Sequence, residues 1–172
     1  FFNYRNVKRL NWKTTYRKLA KLIQDEYTLH GYLAESDKLT DKQKTYFAAV
    51  RDLTAPIEDM ETSLKNLVSF LYAHHGTKVY VLIDDYDKPL YAHFPSIFYS
   101  EIIEFLDKFL GQGLAGHLGL EKAVITCLAG LSAPAIFTAL QSEMRQYGIA
   151  DKPFSTSFGF TQEVVDELIT KA

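Results

Sequence analysis

Asp84, Asp85 and Asp87 stand within four residues at the end of an apolar run, in the stretch VYVLIDDYDKPL. Carboxylates grouped in this way suit one kind of chemistry: holding a divalent cation and managing the proton of an attacking water. A β-favouring apolar run that ends in Asp and a second acid has the form of a Walker B segment. There Asp84 would hold Mg2+ through a water, and Asp85 would orient or deprotonate the water that attacks the phosphate. A strand end suits the task because the strand fixes the carboxylates while the mouth stays polar. The same residues also fit a plainer role, in which Asp84 closes a strand and Asp87 opens a turn at Lys88-Pro89.

Other candidates are weaker. GQGLAG, with Gly111, Gly113 and Gly116, spells G-x-G-x-x-G. A dinucleotide site needs that pattern after a strand and at the start of a helix. Here it follows a helical stretch and precedes a strand, so the spacing predicts a glycine-rich mobile loop over 111–119. The sequence has no Gly-Lys pair, hence no Walker A loop to cradle the β- and γ-phosphates. No acid is followed two positions later by Lys, which excludes the E-x-K element of restriction-type nucleases. His74 and His75 are adjacent rather than i, i+4, so a helix end beside the negative pole of the dipole is expected. Cys127 lies in the apolar run AVITCLAG and reads as a buried, inert thiol. Phe105, Phe109 and Phe137 fall at helical spacing and read as core.

The elements that must position the aspartates follow from periodicity. Tyr16, Leu19, Ala20, Ile23 and Tyr27 mark a helix after an Asn11 cap, with FFNYR as a short strand before it. Thr40 to Gln43 has capping-box form and opens a second helix through Phe47 and Val50. A third helix, through Leu64, Leu67, Val68, Leu71 and Tyr72, stops at Gly76. Val79 to Ile83 reads as a buried strand and Ala123 to Leu128 as another. Helices through Ile102–Phe109 and through Ile136–Leu140 follow the two strands, and a last one starts at Thr161. Strands alternating with helices indicate an α/β domain with a mainly parallel sheet. Ligands in such sheets bind beyond the carboxyl ends of the strands, where Asp84, Asp85, Thr126 and Cys127 lie.

Composition agrees with a folded domain. The chain has 172 residues, 47% of them hydrophobic, and a net charge of −2. Both signs are spread along it, so charge offers no case for a nucleic-acid or membrane surface. A single cysteine excludes an internal disulfide and fits a reducing, cytosolic setting. No apolar run approaches the ~20 residues of a membrane span.

The residues also resemble a known family. KVYVLIDDYDKPL is similar to the VLIDEYDKPL segment of the bacterial AAA-ATPase-like family, whose members often carry a C-terminal PD-(D/E)XK nuclease-like domain. YRKLAKLIQDEYTLHGYLAESDKLTDKQKTYFAAV and SLKNLVSFLYAHHGTKVYVLID resemble the helical lead-in to that strand. SFGFTQEVVDELI resembles the closing segment FGFTEEEVEELL. The resemblance implies one domain over 1–172, a segment of a larger protein. Its fold would be a three-layer P-loop-type α/β domain lacking the Walker A strand. FFNY would be its second sheet strand, Val79–Asp84 its third and Ala123–Leu128 its fourth. The resemblance further implies ATP and Mg2+ as cofactors, with Asp84 on the metal side, Asp85 as the base and Thr126 near the γ-phosphate.

Three departures bear on activity. Asp85 replaces the family's Glu and is one methylene shorter; a displacement of about 1 Å can cost ~10²-fold in rate. TCLAGLSAPAIFTALQSE stands where the family has TGVTKFSKVSIFSGLNNL, so Cys127 replaces Gly, Gly130 a basic residue and Ala133 a Lys. Walker A itself is absent. Two functions follow. One is an ATP-binding or ATP-hydrolysing module completed by an upstream Walker A segment and inactive alone. The other is a degenerate, non-hydrolysing scaffold beside a nuclease-like domain. A stand-alone metal-dependent hydrolase using Asp84, Asp85 and Asp87 is the third and weakest class. Loss of the neighbouring strand would leave the fourth strand as an apolar edge, which predicts self-association or a protein partner.

Overall fold

The computed structural model describes residues 2–3, 11–93, 98–128, 136–140, 142–148, 151–153, 156 and 160–171. The chain opens with strand β1 (Phe2–Asn3) and helix α1 (Trp12–Leu29). Asn11 starts α1 as expected: its side-chain oxygen accepts the Thr14 N–H at 2.9 Å, satisfying one orphan donor of the first turn. Leu19, Ala20, Ile23 and Tyr27 face the core. A 3-10 turn over Gly31–Glu35 leads to helix α2 (Asp41–Arg51). The Thr40–Gln43 capping box is formed, with Gln43 N–H donating to Thr40 Oγ1 and Thr40 N–H to Gln43 Oε1. Helices α3 (Ile57–Glu61) and α4 (Ser63–His75) come next. Gly76 ends α4 at φ 68°, where a side chain would be strained, and its N–H reaches Tyr72 O at 2.9 Å.

Strand β2 (Val79–Asp84) is followed by helix α5 (Lys88–His93) and helix α6 (Tyr99–Leu106). One π turn over Asp107–Gly111 joins α6 to helix α7 (Gln112–Leu114). Strand β3 (Leu120–Ile125), a 3-10 turn at Thr138–Leu140 and helix α8 (Gln162–Lys171) complete the described elements. The sheet order is β1-β2-β3 with both pairings parallel; Asn3 lies opposite Asp84, and Ile83 opposite Ile125. The mixed helix and parallel-sheet class is therefore α/β.

The helices pack on one face of the sheet, where Val81 and Ile83 are buried with Leu64, Phe105 and Phe109 in the core. The other face is open among the described residues. Tyr80 and Leu82 of β2 are 65% and 48% exposed, and Val124 of β3 is 48% exposed. Lys122 stands opposite Tyr80 on the same face. Among the described residues no second helical layer covers it, and the outer edge of β3 has no partner strand. None of their helices is long and apolar enough to cross a membrane.

Three local expectations change. The helix expected through Ile136–Leu140 is, within the described residues, a 3-10 turn at Thr138–Leu140. The strand placed at Ala123–Leu128 starts earlier, at Leu120, because Val79 N–H already bonds Gly119 O at 2.8 Å. Its first residues include Lys122, which lies on the open face opposite Tyr80, and the exposed Glu121, which the register shift between Val79 and Tyr80 leaves without a Cα partner. The stretch after Gly111 is not a long loop. Gly111 and Gly113 are buried within helical turns. A Cβ on Gly111 would meet Ile136 O at 2.1 Å, so this glycine serves close backbone approach rather than mobility. Phe1, Tyr4 and Arg5 of the expected first strand, the replacements Gly130 and Ala133, and Ser157–Gly159 of the FGFT stretch lie outside the described residues.

Candidate functional site

Parallel pairing of β2 and β3 places the residues that leave these strands side by side. Side chains alternate along a strand, so Tyr80, Leu82 and Asp84 share one face of β2. The register continues past the strand ends: Thr126 N–H donates to Ile83 O at 2.9 Å, and Tyr86 N–H to Thr126 O at 3.4 Å. Asp84 and Thr126 consequently meet at the rim of the open face. The Thr126 hydroxyl donates to Asp84 Oδ1 at 2.5 Å and accepts the Asp85 N–H at 3.3 Å. One hydroxyl thus orients the first carboxylate and fixes the backbone of the second.

Asp85 has φ 57°. Such left-handed backbone is uncommon outside glycine, and Asp is among the residues that tolerate it best. The chain turns sharply here, and Lys88 N–H closes the turn on Asp85 O at 3.0 Å. Asp84 and Asp85 are both half-buried. Asp87 differs from them. It is fully buried, its Oδ2 accepts the Leu128 N–H at 2.9 Å, and its Oδ1 has no hydrogen-bond partner among the described residues. The three aspartates therefore do not form one ligand set. Among the described residues no group of three or more His, Cys, Asp and Glu converges on a metal position. That geometry removes the support for a stand-alone metal hydrolase built on all three.

The structure thus joins Asp84, Asp85 and Thr126, the three residues singled out from the sequence. It corrects Cys127, which is exposed rather than buried, because β3 has ended before it. Its thiol pKa is nonetheless raised, first by partial burial and then by the negative charge of Asp87. The burial of Asp87 has no local signal in the sequence, because the donor that holds it, the Leu128 N–H, is remote along the chain. His74 and His75 do end α4, and they hydrogen-bond across to the 3-10 turn segment, at Ser36 Oγ and Tyr32 Oη. Tyr32 and His75 border a groove of about 280 Å3 beside the first half of β2, away from Asp84. Phe105, Phe109 and Phe137 are core, as expected.

A family model described as predicted AAA-ATPase matches residues 1–137, which include β2, Asp84, Asp85 and Thr126; the FGFT stretch lies beyond the match. No curated protein and no solved structure matches the chain. With four-fifths of its length covered by that one match, the chain belongs to the predicted AAA-ATPase family.

Proposed function

We propose that this chain is the Walker B part of a nucleotide-binding ATPase-like domain. Asp84 lies on the Mg2+ side of ATP, Asp85 lies beside the attacking water, and Thr126 is placed near the γ-phosphate. The observation that carries this is the Thr126–Asp84 hydrogen bond across the carboxyl ends of two adjacent parallel strands. A carboxylate held by a hydroxyl at a strand end is oriented before any ligand arrives, which favours binding by lowering the ordering cost. A single metal-side carboxylate that acts through water needs no further protein ligands around it, so the residues present fit Mg2+–ATP on the metal side. Bound Mg2+ would neutralise charge that develops on the phosphates.

The phosphate side requires a cradle that the sequence lacks. We assign it to a Walker A segment elsewhere in the same protein. The outer edge of β3, unpaired among the described residues, and the open face at Tyr80, Leu82 and Val124 support this, since an added strand and helix would cover both and complete a three-layer fold. The chain by itself is then inactive, and its setting is cytosolic. In a longer protein a nuclease-like domain is its expected neighbour.

A second reading, a non-hydrolysing scaffold, is favoured by Asp85. Its short side chain leaves a left-handed backbone at the position of the base. Binding and hydrolysis assays on full-length protein separate the two. Labelled ATP with Mg2+ should bind the wild type, and Asp84→Ala should weaken binding by about tenfold or more, the scale of a lost charge-assisted contact. Equal binding by wild type and variant, or none by either, would end the nucleotide reading. Binding without turnover would select the scaffold.

A further inference from the structure

Asp87 follows a tight turn and precedes α5, a position where an aspartate ordinarily caps the helix with its side chain. Its backbone does take that part: Leu90 N–H bonds Asp87 O at 2.9 Å. The carboxylate, however, reaches across to the chain leaving β3 and accepts the Leu128 N–H at 2.9 Å. Backbone pairing between the two strand exits ends with Tyr86 N–H on Thr126 O at 3.4 Å. The Asp87 side chain extends that pairing one step further, standing in for a backbone carbonyl. It is anchored from behind, because Tyr86 is buried against Phe137 with ring centroids 5.0 Å apart.

We propose that Asp87 is a positioning residue whose buried carboxylate clamps the segment after β3 and so keeps the Thr126 hydroxyl on Asp84. Thr126 is then tied on both sides, by its own N–H to Ile83 O and by Leu128 to Asp87. Without the second tie the exposed segment after Thr126 loses the bond from Leu128 to the β2 exit, and the Thr126 side chain gains freedom to turn away. A buried carboxylate is costly unless a donor holds it, and Leu128 supplies that donor. The charge is felt locally, since Asp87 is among the causes that raise the Cys127 thiol. The functional meaning rests on the reading of Asp84 and Thr126 as a nucleotide site; the clamp does not.

The test compares Asp87→Ala with Asp87→Asn in the 172-residue chain. Asn keeps an acceptor for Leu128 N–H but removes the charge. Amide hydrogen exchange at Leu128 should quicken by about tenfold in the Ala variant, the scale of one hydrogen bond to a charged group, and return toward wild type in Asn. The Thr126 methyl resonance should show rotamer averaging in Ala and not in Asn. The pH midpoint for labelling Cys127 should fall in both, since both lose the charge. Unchanged exchange and an unchanged Thr126 resonance in Ala would overturn the clamp. So would a folded Asn variant that behaves like Ala. If Ala fails to fold, the Asn variant and its Cys127 profile decide alone: an unshifted midpoint refutes the placement of the charge, and averaging at Thr126 refutes rescue by the acceptor. Failure of ATP to bind the full-length protein would refute the nucleotide site and leave these results standing.

Discussion

Gly111→Ala pits two effects of known size against each other. Gly111 has helical φ and ψ of −62° and −59°, so Ala suits its backbone. Propensity alone predicts a gain of about 1 kcal/mol. Packing predicts the reverse. The added Cβ would stand 2.1 Å from Ile136 O and 2.9 Å from Asp107 Oδ1. The nearer atom is backbone and cannot rotate aside, and Ile136 is fully buried. To restore contact the Ile136 segment must retreat by about 1 Å, carrying Phe137 off Tyr86. Overpacking of this kind costs about 1–3 kcal/mol, with the upper end apt for a rigid obstacle. The net is a loss of about 1–2 kcal/mol once propensity is offset. Urea denaturation should show a midpoint lower by roughly 0.5–1 M at an unchanged slope. Gly113→Ala is the control, since its Cβ would meet Leu64 at an ordinary 3.5 Å. A Gly111→Ala variant as stable as wild type would refute the packing of Ile136 on this turn.

Other outcomes follow from single contacts. Thr126→Val removes the hydroxyl shared by Asp84 and the Asp85 N–H; ATP binding by the full-length protein should weaken by about tenfold while its melting temperature moves little, because the site is exposed. Cys127 should react with a disulfide reagent along a pH profile displaced above that of free cysteine, since burial and Asp87 both raise its thiol. Tyr27→Phe leaves the Ser63 carbonyl without the phenol that now donates to it at 2.8 Å, and should cost about 1–2 kcal/mol by chemical denaturation. Burial raises the Tyr27 pKa well above its ordinary value. The unfolded chain would ionise first, so Tyr27's contribution is complete below pH ~10 and lost as pH rises beyond it. The Tyr27→Phe variant should lack that part of the alkaline loss.

The sequence was most legible where local chemistry decides structure. The Asn11 cap, the Thr40–Gln43 box and the left-handed Gly76 each need only neighbouring residues, and each is formed. The end of β2 at Asp84 was legible for the same reason, because an apolar run gives way to charge. Legibility failed where a distant partner decides. The glycines after α6 announced flexibility, yet Gly111 is required by Ile136, which is remote in sequence. The start of β3 is polar because the open sheet face admits Lys122 and a register shift admits Glu121, so an apolar run does not mark it. Asp84, Asp85 and Thr126 were identified by type and position, but the bond that unites them depends on parallel register. The burial of Asp87 depends on the path after β3, which no local pattern in YDKPL encodes.

The central claim is that Asp84 lies on the metal side of a bound nucleotide. Its most direct test is the Mg2+ dependence of ATP affinity in full-length protein, wild type against Asp84→Asn. Asn preserves size and an acceptor for the Thr126 hydroxyl while removing the charge that attracts the ion. Mg2+ should tighten ATP binding in the wild type, and the variant should lose most of this enhancement, about tenfold or more, while its Mg2+-free affinity is unchanged. An equal Mg2+ enhancement in both proteins would contradict the claim.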